Sequence, residues 1–249
     1  VGGWALESNT TGYKNVAVGW GAMADGTGNS ESVAVGYEAL HKAASAPFNT
    51  AVGEGAMFSQ TSGGHNVAVG RSAMRYGTTG SGNTGLGADA LRGVVDGQDN
   101  TAVGYRAMYK SSGGESDYNT AVGHEALLQI TTGDSNTAVG HQSGDNLTTG
   151  YRNVLIGDNA DTSANTSINQ VVIGYGATGV ANNSVTLGST SNESVFISST
   201  VSTKPLVELK NTTNDANSGI LKLVKDKGAA GADGDDIGIL EFVGDDAAQ

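Results

Sequence analysis

The chain has no cysteine, only 2 prolines and few aromatic residues (6%) among its 249 residues. Without cysteine it forms no disulfide and no thiolate metal site, so its stability must come from packing or association. The shortage of rings argues against a compact core built on large aromatic side chains. No apolar run approaches the roughly 18 residues of a membrane-spanning helix, so we expect no membrane insertion.

Positive charge is also scarce. The chain has 13 Lys and Arg against 25 Asp and Glu, which gives a formal net charge of −12. Nucleic-acid binding depends on a basic surface, so we expect no nucleic-acid partner. Docking on anionic membranes is disfavoured for the same reason. An acidic balance is typical of a soluble, exposed surface.

Glycine is abundant, with 39 residues, and it marks a repeat. Asn-Val-Ala-Val-Gly-x-x-Ala-Met at 15–23 returns in close variants, and its glycine keeps a 17-residue period apart from one longer step, between Gly104 and Gly123. A fixed short period indicates a solenoid, in which each coil buries its apolar face against its neighbours. We therefore predict an all-β solenoid of about eleven 17-residue coils, in which a two-strand roll and a three-sided helix are both feasible. The repeat glycines, here called the glycine column, are Gly2, Gly19, Gly36, Gly53, Gly70, Gly87, Gly104, Gly123, Gly140, Gly157 and Gly174.

The three residues before each glycine predict a short strand, because β-branched residues dominate two of the three positions. The residue directly before the glycine is Val, Leu or Ile in every coil, and we expect it to fill the interior. The residue two before the glycine is mostly alanine, so the second face of the strand is also apolar. We expect this alanine column to pack against other copies of the chain on a symmetry axis. The predicted trimer-axis residues are Ala17, Ala34, Ala51, Ala68, Ala102, Ala121 and Ala138.

Two further columns predict internal structure. The fourth residue after the glycine is Leu or Met in eight coils, from Leu6 to Leu127, and this position holds all four methionines. Such a stripe is typical of a core. The residue four before the glycine is Asn in eight coils, which predicts a turn cap or a hydrogen-bonded ladder between coils.

The phrase Asn-Thr-Ala-Val-Gly-x-x-Ala-Leu resembles the head repeats of YadA-like trimeric autotransporter adhesins. It resembles more closely the repeats of bacteriophage tail fibres and tailspikes, over about residues 1–190. The latter resemblance implies a homotrimeric, non-catalytic fibre shaft of the virion tail that serves host attachment and often precedes a self-cleaving chaperone. The alternative is the head of a bacterial adhesin or another secreted fibre on the bacterial outer surface, although the 17-residue period is longer than is usual in those heads.

The repeat phrase does not continue into the C-terminal part of the chain. We predict a repeat shaft over 1–198 and a small intertwined β segment over 199–249. The segments 206–209, 220–224 and 237–243 are predicted strands, and they are similar to the β-rich segment before the chaperone of phage fibres.

The position directly after the glycine is the most variable and the richest in chemistry. Mixed aromatic and polar groups suit recognition of a host glycan or protein, although the same column could line the seam between chains or face solvent. Its candidate recognition residues are Trp20, Tyr37, Tyr105, His124, His141 and Tyr175.

Few residues suggest other chemistry. His124 and His141 could share a metal, but the repeat supplies no evident third ligand. The Asp-rich loop near Asp233 lacks the spacing of a calcium site. Carboxylates are scattered singly among the coils and no catalytic motif is present, so we predict no enzyme, no cofactor and no bound metal.

Overall fold

The computed structural model describes residues 1–110 and 115–189. The predicted segment 199–249 and its three strands lie outside the described residues. The part of the chain that is described has strands, turns and bends, and no helix.

The architecture is one parallel sheet of eleven three-residue strands in chain order, one strand for each coil. Each strand pairs with the next in register, so Ala121 on one strand lies beside Ala138 on the next. The predicted all-β solenoid is confirmed. The last step is shorter than the step before it, since Val171 pairs with Val185 on one side and with Val154 on the other. The strands are β1 Val16–Val18, β2 Val33–Val35, β3 Thr50–Val52, β4 Val67–Val69, β5 Thr84–Leu86, β6 Thr101–Val103, β7 Thr120–Val122, β8 Thr137–Val139, β9 Val154–Ile156, β10 Val171–Ile173 and β11 Val185–Leu187.

Left-handed residues turn each coil at three recurring positions. In the middle of the stack these are Met57 (φ 50°), His65 (φ 61°) and Ser72 (φ 57°). A non-glycine residue in this region costs about 1–3 kcal/mol. Each of the three N–H groups donates to a carbonyl of a neighbouring coil, to Ala73, Pro47 and Glu54 respectively. The hydrogen bonds of the stack therefore offset the strain of its corners.

The glycine column has a steric cause. Gly123 has φ +140°, and a Cβ placed on it would lie 2.2 Å from the carbonyl oxygen of Gly140 on the next coil. Only glycine tolerates both the backbone conformation and this approach. The same arrangement recurs through most of the stack, which explains why the glycine returns once per coil.

The predicted trimer-axis column is wrong, because its alanines point into the coil. All are buried within a single chain: Ala17, Ala34, Ala51, Ala68, Ala102, Ala121 and Ala138.

The flanking branched residues point outward instead, so the prediction that they fill the interior is also wrong. Val139 and Ile156, for example, remain 38% and 39% exposed. Successive side chains of a strand alternate between its faces, so burying the middle residue exposes the two beside it.

The interior accepts a small residue on the strand because large residues oppose it. At Gly85, which stands in the alanine column, an added Cβ would lie 3.3 Å from Met74 and 3.4 Å from Leu91. Gly144 stands at the position where most coils carry Met or Leu. The following strand carries Leu155 in place of alanine, and the Leu155 side chain lies close enough to Gly144 to fill the space left by the missing large side chain. The Met/Leu column is buried from Met23 to Leu127, which confirms the core prediction.

The asparagine column forms the predicted hydrogen-bonded ladder. Asn136 is fully buried, and its Nδ2 donates to Asn119 Oδ1 (3.1 Å) and to Gly150 O (2.9 Å). Its Oδ1 accepts from the backbone N–H and from Nδ2 of Asn153, both at 3.0 Å. Every polar atom of the amide is thus satisfied, as burial requires.

Candidate functional site

The first part of the predicted recognition column is an aromatic stack. Trp20 and Tyr37 pack with ring centroids 5.0 Å apart and planes 8° from parallel. Trp4, which stands one position later in its coil, extends the stack at 4.9 Å from Trp20. Because the rings lie over one another, they cover each other's faces and turn their edges to solvent. The stack stabilises neighbouring coils, while its outer rings, Trp4 and Tyr37, remain 59% and 50% exposed.

The second part of the column is a mixed stack on later coils. Tyr105 lies 5.2 Å from His124, which lies 5.2 Å from His141. His141 Nδ1 lies 3.2 Å from a carboxylate oxygen of Asp158. Tyr175 is 69% exposed and makes no ring contact among the described residues. The six candidates thus divide into two separate stacks and one isolated tyrosine.

The stacked histidines do not gather a larger ligand set. Within residues 1–110 and 115–189, no group of three or more His, Cys, Asp or Glu side chains is placed to hold a metal ion.

A second column, five residues after each glycine, was missed in the sequence. His41 stacks on Phe58 at 5.1 Å, and the Arg75 guanidinium lies 4.9 Å from the centroid of the same Phe58 ring. Farther along, Arg92 lies between Tyr76 and Tyr109, at 5.2 and 5.5 Å from their ring centroids. The signal was present as His, Phe, Arg, Arg and Tyr at one position of five consecutive coils.

Ion pairs connect this column to the recognition column. Asp89 accepts from Arg71 at 3.2 Å and lies 3.3 Å from Arg92 Nε. Arg106 pairs with Glu125. A hydrogen bond from Gln142, helped by the nearby Arg106, lowers the pKa of the Glu125 carboxyl. Arg71, Arg92 and Arg106 thus each pair with a carboxylate within the chain.

Two carboxyl groups share a partly buried position where the Met/Leu column ends. Burial, together with the neighbouring Asp145, raises the pKa of Asp161 to about 7, against a hydrogen bond from Thr162 N–H that acts to lower it. Burial likewise raises the pKa of Asp145. The Asp161 carboxyl therefore changes charge near neutral pH, and Asp145 interacts electrostatically with His141 of the second stack.

The outward face of the sheet is a continuous feature of the surface. It consists of two columns, the first and third residues of every strand, which we call the outward aliphatic face. The third residue is Val, Leu or Ile in all eleven strands, and the first is Val in six strands and Thr in five. Strand spacing and rise give this strip roughly 50 Å by 7 Å, or about 350 Å². The largest apolar patch of a typical soluble monomer measures about 300–600 Å² and is often functional.

No protein-family model, no curated protein and no solved structure matches this chain. Among the described residues, no helix is long and apolar enough to cross a membrane.

Proposed function

We propose that the chain is a non-catalytic shaft segment of a homotrimeric surface fibre. The single observation that carries the proposal is the outward aliphatic face, whose third-residue column is Val, Leu or Ile in all eleven strands. Water contact with such a strip is unfavourable, and association of copies removes it. The proposed contacts between copies are therefore made by the branched residues on either side of the alanine column and not by the alanines.

The geometry of the strip supports parallel copies. Because every strand is in register with the next, the aliphatic side chains form straight rows along the stack. A second copy lying alongside meets the same residue types at the same spacing over the full length. Rows of the same residue types on every copy allow parallel copies to pack around an axis that runs along the stack. The number three comes from the resemblance of the repeat phrase to trimeric fibres.

The resemblance further favours a bacteriophage tail fibre or tailspike, located in the virion tail and serving host attachment. In this assignment the shaft carries the recognition surface away from the particle. The head of a bacterial trimeric adhesin is the second candidate, since the same strip would serve it equally. The closer repeat phrase favours the phage fibre.

Light scattering on the purified chain tests the self-association. We expect a mass three times the 25.0 kDa of one chain. The double variant Val122→Lys and Val139→Lys should fall to the single-chain mass with an unchanged circular dichroism spectrum, because both side chains point outward. Thr132→Lys, on an exposed corner, is the matched control and should keep the wild-type mass.

A core variant separates the two assignments of the strand faces. Ala121→Lys places a charge in the interior and is expected to unfold the chain rather than dissociate it. A monomeric wild-type chain, or a double valine variant with the wild-type mass, would refute the proposed self-association.

A further inference from the structure

Ring-bearing side chains stack in this solenoid at nearly one spacing. The centroids are 4.8 Å apart for Phe48 and His65 and 5.0 Å apart for Trp20 and Tyr37. This is the distance between adjacent coils. Where a coil without a ring separates two coils with rings, the two walls are therefore about 10 Å apart, and one flat group fits between them.

The chain fills one such gap itself. Tyr76 and Tyr109 lie two coils apart, and the Arg92 guanidinium packs between them. Its nitrogens donate to both phenol oxygens, at 3.3 Å for Tyr76 and 2.7 Å for Tyr109. A gap between two tyrosines thus holds a ring-sized group that carries hydrogen-bonding atoms on its edge.

A second pair of tyrosines two coils apart borders a cleft, in which the Arg152 guanidinium lies 5.7 Å from the centroid of the Tyr151 ring. The interval along the chain from Tyr118 to Tyr151 equals that from Tyr76 to Tyr109, and the coil between Tyr118 and Tyr151 carries only Asp134 and Ser135 at this corner. Here lies a cleft of about 220 Å³, and both tyrosines remain exposed beside it, at 62% and 40%. We call it the Tyr118–Tyr151 cleft; its lining residues are Tyr118, Asp134, Ser135, Tyr151 and Arg152.

We propose that the Tyr118–Tyr151 cleft binds one neutral hexopyranose unit of a glycan. A sugar ring has an apolar C–H face for the tyrosine walls and hydroxyl groups around its edge. Asp134 only accepts hydrogen bonds, Arg152 only donates them, and the Ser135 hydroxyl does both, which matches neighbouring hydroxyls of a sugar.

The charges of the cleft favour a neutral ligand. An anion would face the Asp134 carboxylate, and a cation would face the Arg152 guanidinium. The volume of about 220 Å³ lies below the 300–1,000 Å³ typical of pockets for drug-sized ligands, so it suits a single ring.

Backbone hydrogen bonds fix the chain segments that carry Ser135 and Arg152, and a further bond fixes the Asp134 carboxylate. Ser135 N–H donates to Asp117 O at 2.9 Å, and Arg152 N–H donates to Asp134 O at 3.0 Å. One carboxylate oxygen of Asp134 accepts from Asp117 N–H at 2.8 Å, which fixes the carboxylate. A site fixed in this way loses little freedom when it binds.

The cleft is distinct from the outward aliphatic face, since none of its residues belongs to a strand. Sugar binding in the cleft would therefore add to the proposed function and does not require self-association of the chain.

Saturation-transfer NMR on the full chain in its native assembly tests the site. The probes are the methyl glycosides of glucose, galactose, mannose and N-acetylglucosamine, with methyl glucuronide as a charged comparison. We expect at least one neutral glycoside to bind with a Kd of about 1 mM and methyl glucuronide to bind more weakly. Tyr118→Ala should raise that Kd about tenfold. Tyr13→Ala, which removes a ring of similar exposure (57%) from another coil, should leave it unchanged.

A second variant fills the gap while keeping the fold. Ser135 has φ 58°, and Phe48 holds the equivalent position of its coil at φ 60°, so Ser135→Phe suits the backbone. Its ring should stack on Tyr118, abolish sugar binding and leave Tm no lower than that of the wild type.

Three results would overturn the proposal: no neutral glycoside of the panel binds, the glucuronide binds best, or both cleft variants bind like the wild type. Light scattering on the same samples reports self-association separately. A monomer that binds sugar would remove the fibre proposal and leave this one standing.

Discussion

Replacing Asn136 tests whether the buried asparagine ladder stabilises the stack. Asn136→Ala removes the donor to Gly150 O and the acceptor for Asn153 N–H. Asn119 Oδ1 keeps its bond from the backbone N–H of residue 136, and Asn153 Nδ2 keeps its bond to Ser167 O. Two buried backbone groups are left without partners, at about 1–3 kcal/mol each. We expect a loss of about 2–6 kcal/mol in the free energy of unfolding.

The chain itself supplies the matched control, because Ser32 occupies the same column. The Ser32 hydroxyl accepts from Asn49 N–H at 3.1 Å, and its single proton is shared between Ser30 O at 3.1 Å and Ala46 O at 3.3 Å. Serine thus restores the acceptor that alanine loses and part of the lost donor. We expect Asn136→Ser to cost clearly less than Asn136→Ala.

Aspartate at the same position separates hydrogen bonding from shape. An ionised carboxylate still accepts from Asn153 but cannot donate to Gly150 O, and it is buried without a cation. Asn136→Asp should be the least stable variant at pH 7. Burial raises the pKa of the introduced carboxyl in the folded state, so the destabilisation should diminish as the pH falls and the acid becomes a donor.

Urea unfolding followed by far-UV circular dichroism measures the series, with Asn165→Ala as an exposed control that should change nothing. The reasoning fails if Asn136→Ala lies within about 0.5 kcal/mol of the wild type, the range of ordinary surface changes. It fails equally if serine is no better than alanine.

Gly123 in the glycine column and the partly buried Asp161 allow two further tests. Gly123→Ala adds a clash with Gly140 to a backbone strain of about 1–3 kcal/mol, so it should lower the free energy of unfolding, measured in urea, by more than the strain alone. Gly28→Ala is the control: its added Cβ meets nothing closer than 3.4 Å, so it should lower the free energy of unfolding far less. The folded-state pKa of Asp161, about 7, lies above its ordinary value of 3.8, so its stabilisation is complete below pH 3.8 and is lost as the pH rises to about 7. Tm should therefore fall across this range in thermal scans, and Asp161→Asn should flatten the fall; an unchanged slope would show that Asp161 titrates normally.

The solenoid could be predicted because a strict period sets the register directly. Once the glycine recurs at a fixed interval, equivalent positions must stack, and the asparagine ladder and Met/Leu core follow from their columns. The orientation of the strand could not be predicted in the same way. A Val-Ala-Val strand is apolar on both faces, so it lacks the polar alternation that normally marks the wet side. Side-chain size indicates the buried face of the strand better than polarity does, since the narrow interior pairs alanine with Met or Leu.

The candidate sites were predictable only in part. The position after the glycine stood out by its chemistry, but the sequence does not reveal that Trp20 and Tyr37 cover each other's faces. The Tyr118–Tyr151 cleft depends on the small size of Ser135 between two rings. Its two tyrosines also occupy neighbouring columns, so a search along single columns misses it.

Coil length is a variable that this fold tolerates. Paired strands are joined by steps of three lengths: a short one from Val171 to Val185, the usual one from Thr120 to Thr137, and a long one from Thr101 to Thr120. Across the long step, Asn119 N–H still donates to Asn100 Oδ1 at 2.9 Å. The ladder thus keeps its alignment across coils of different length. Insertions and deletions between neighbouring rungs can therefore accumulate during evolution, or be introduced by design, while the rungs stay aligned.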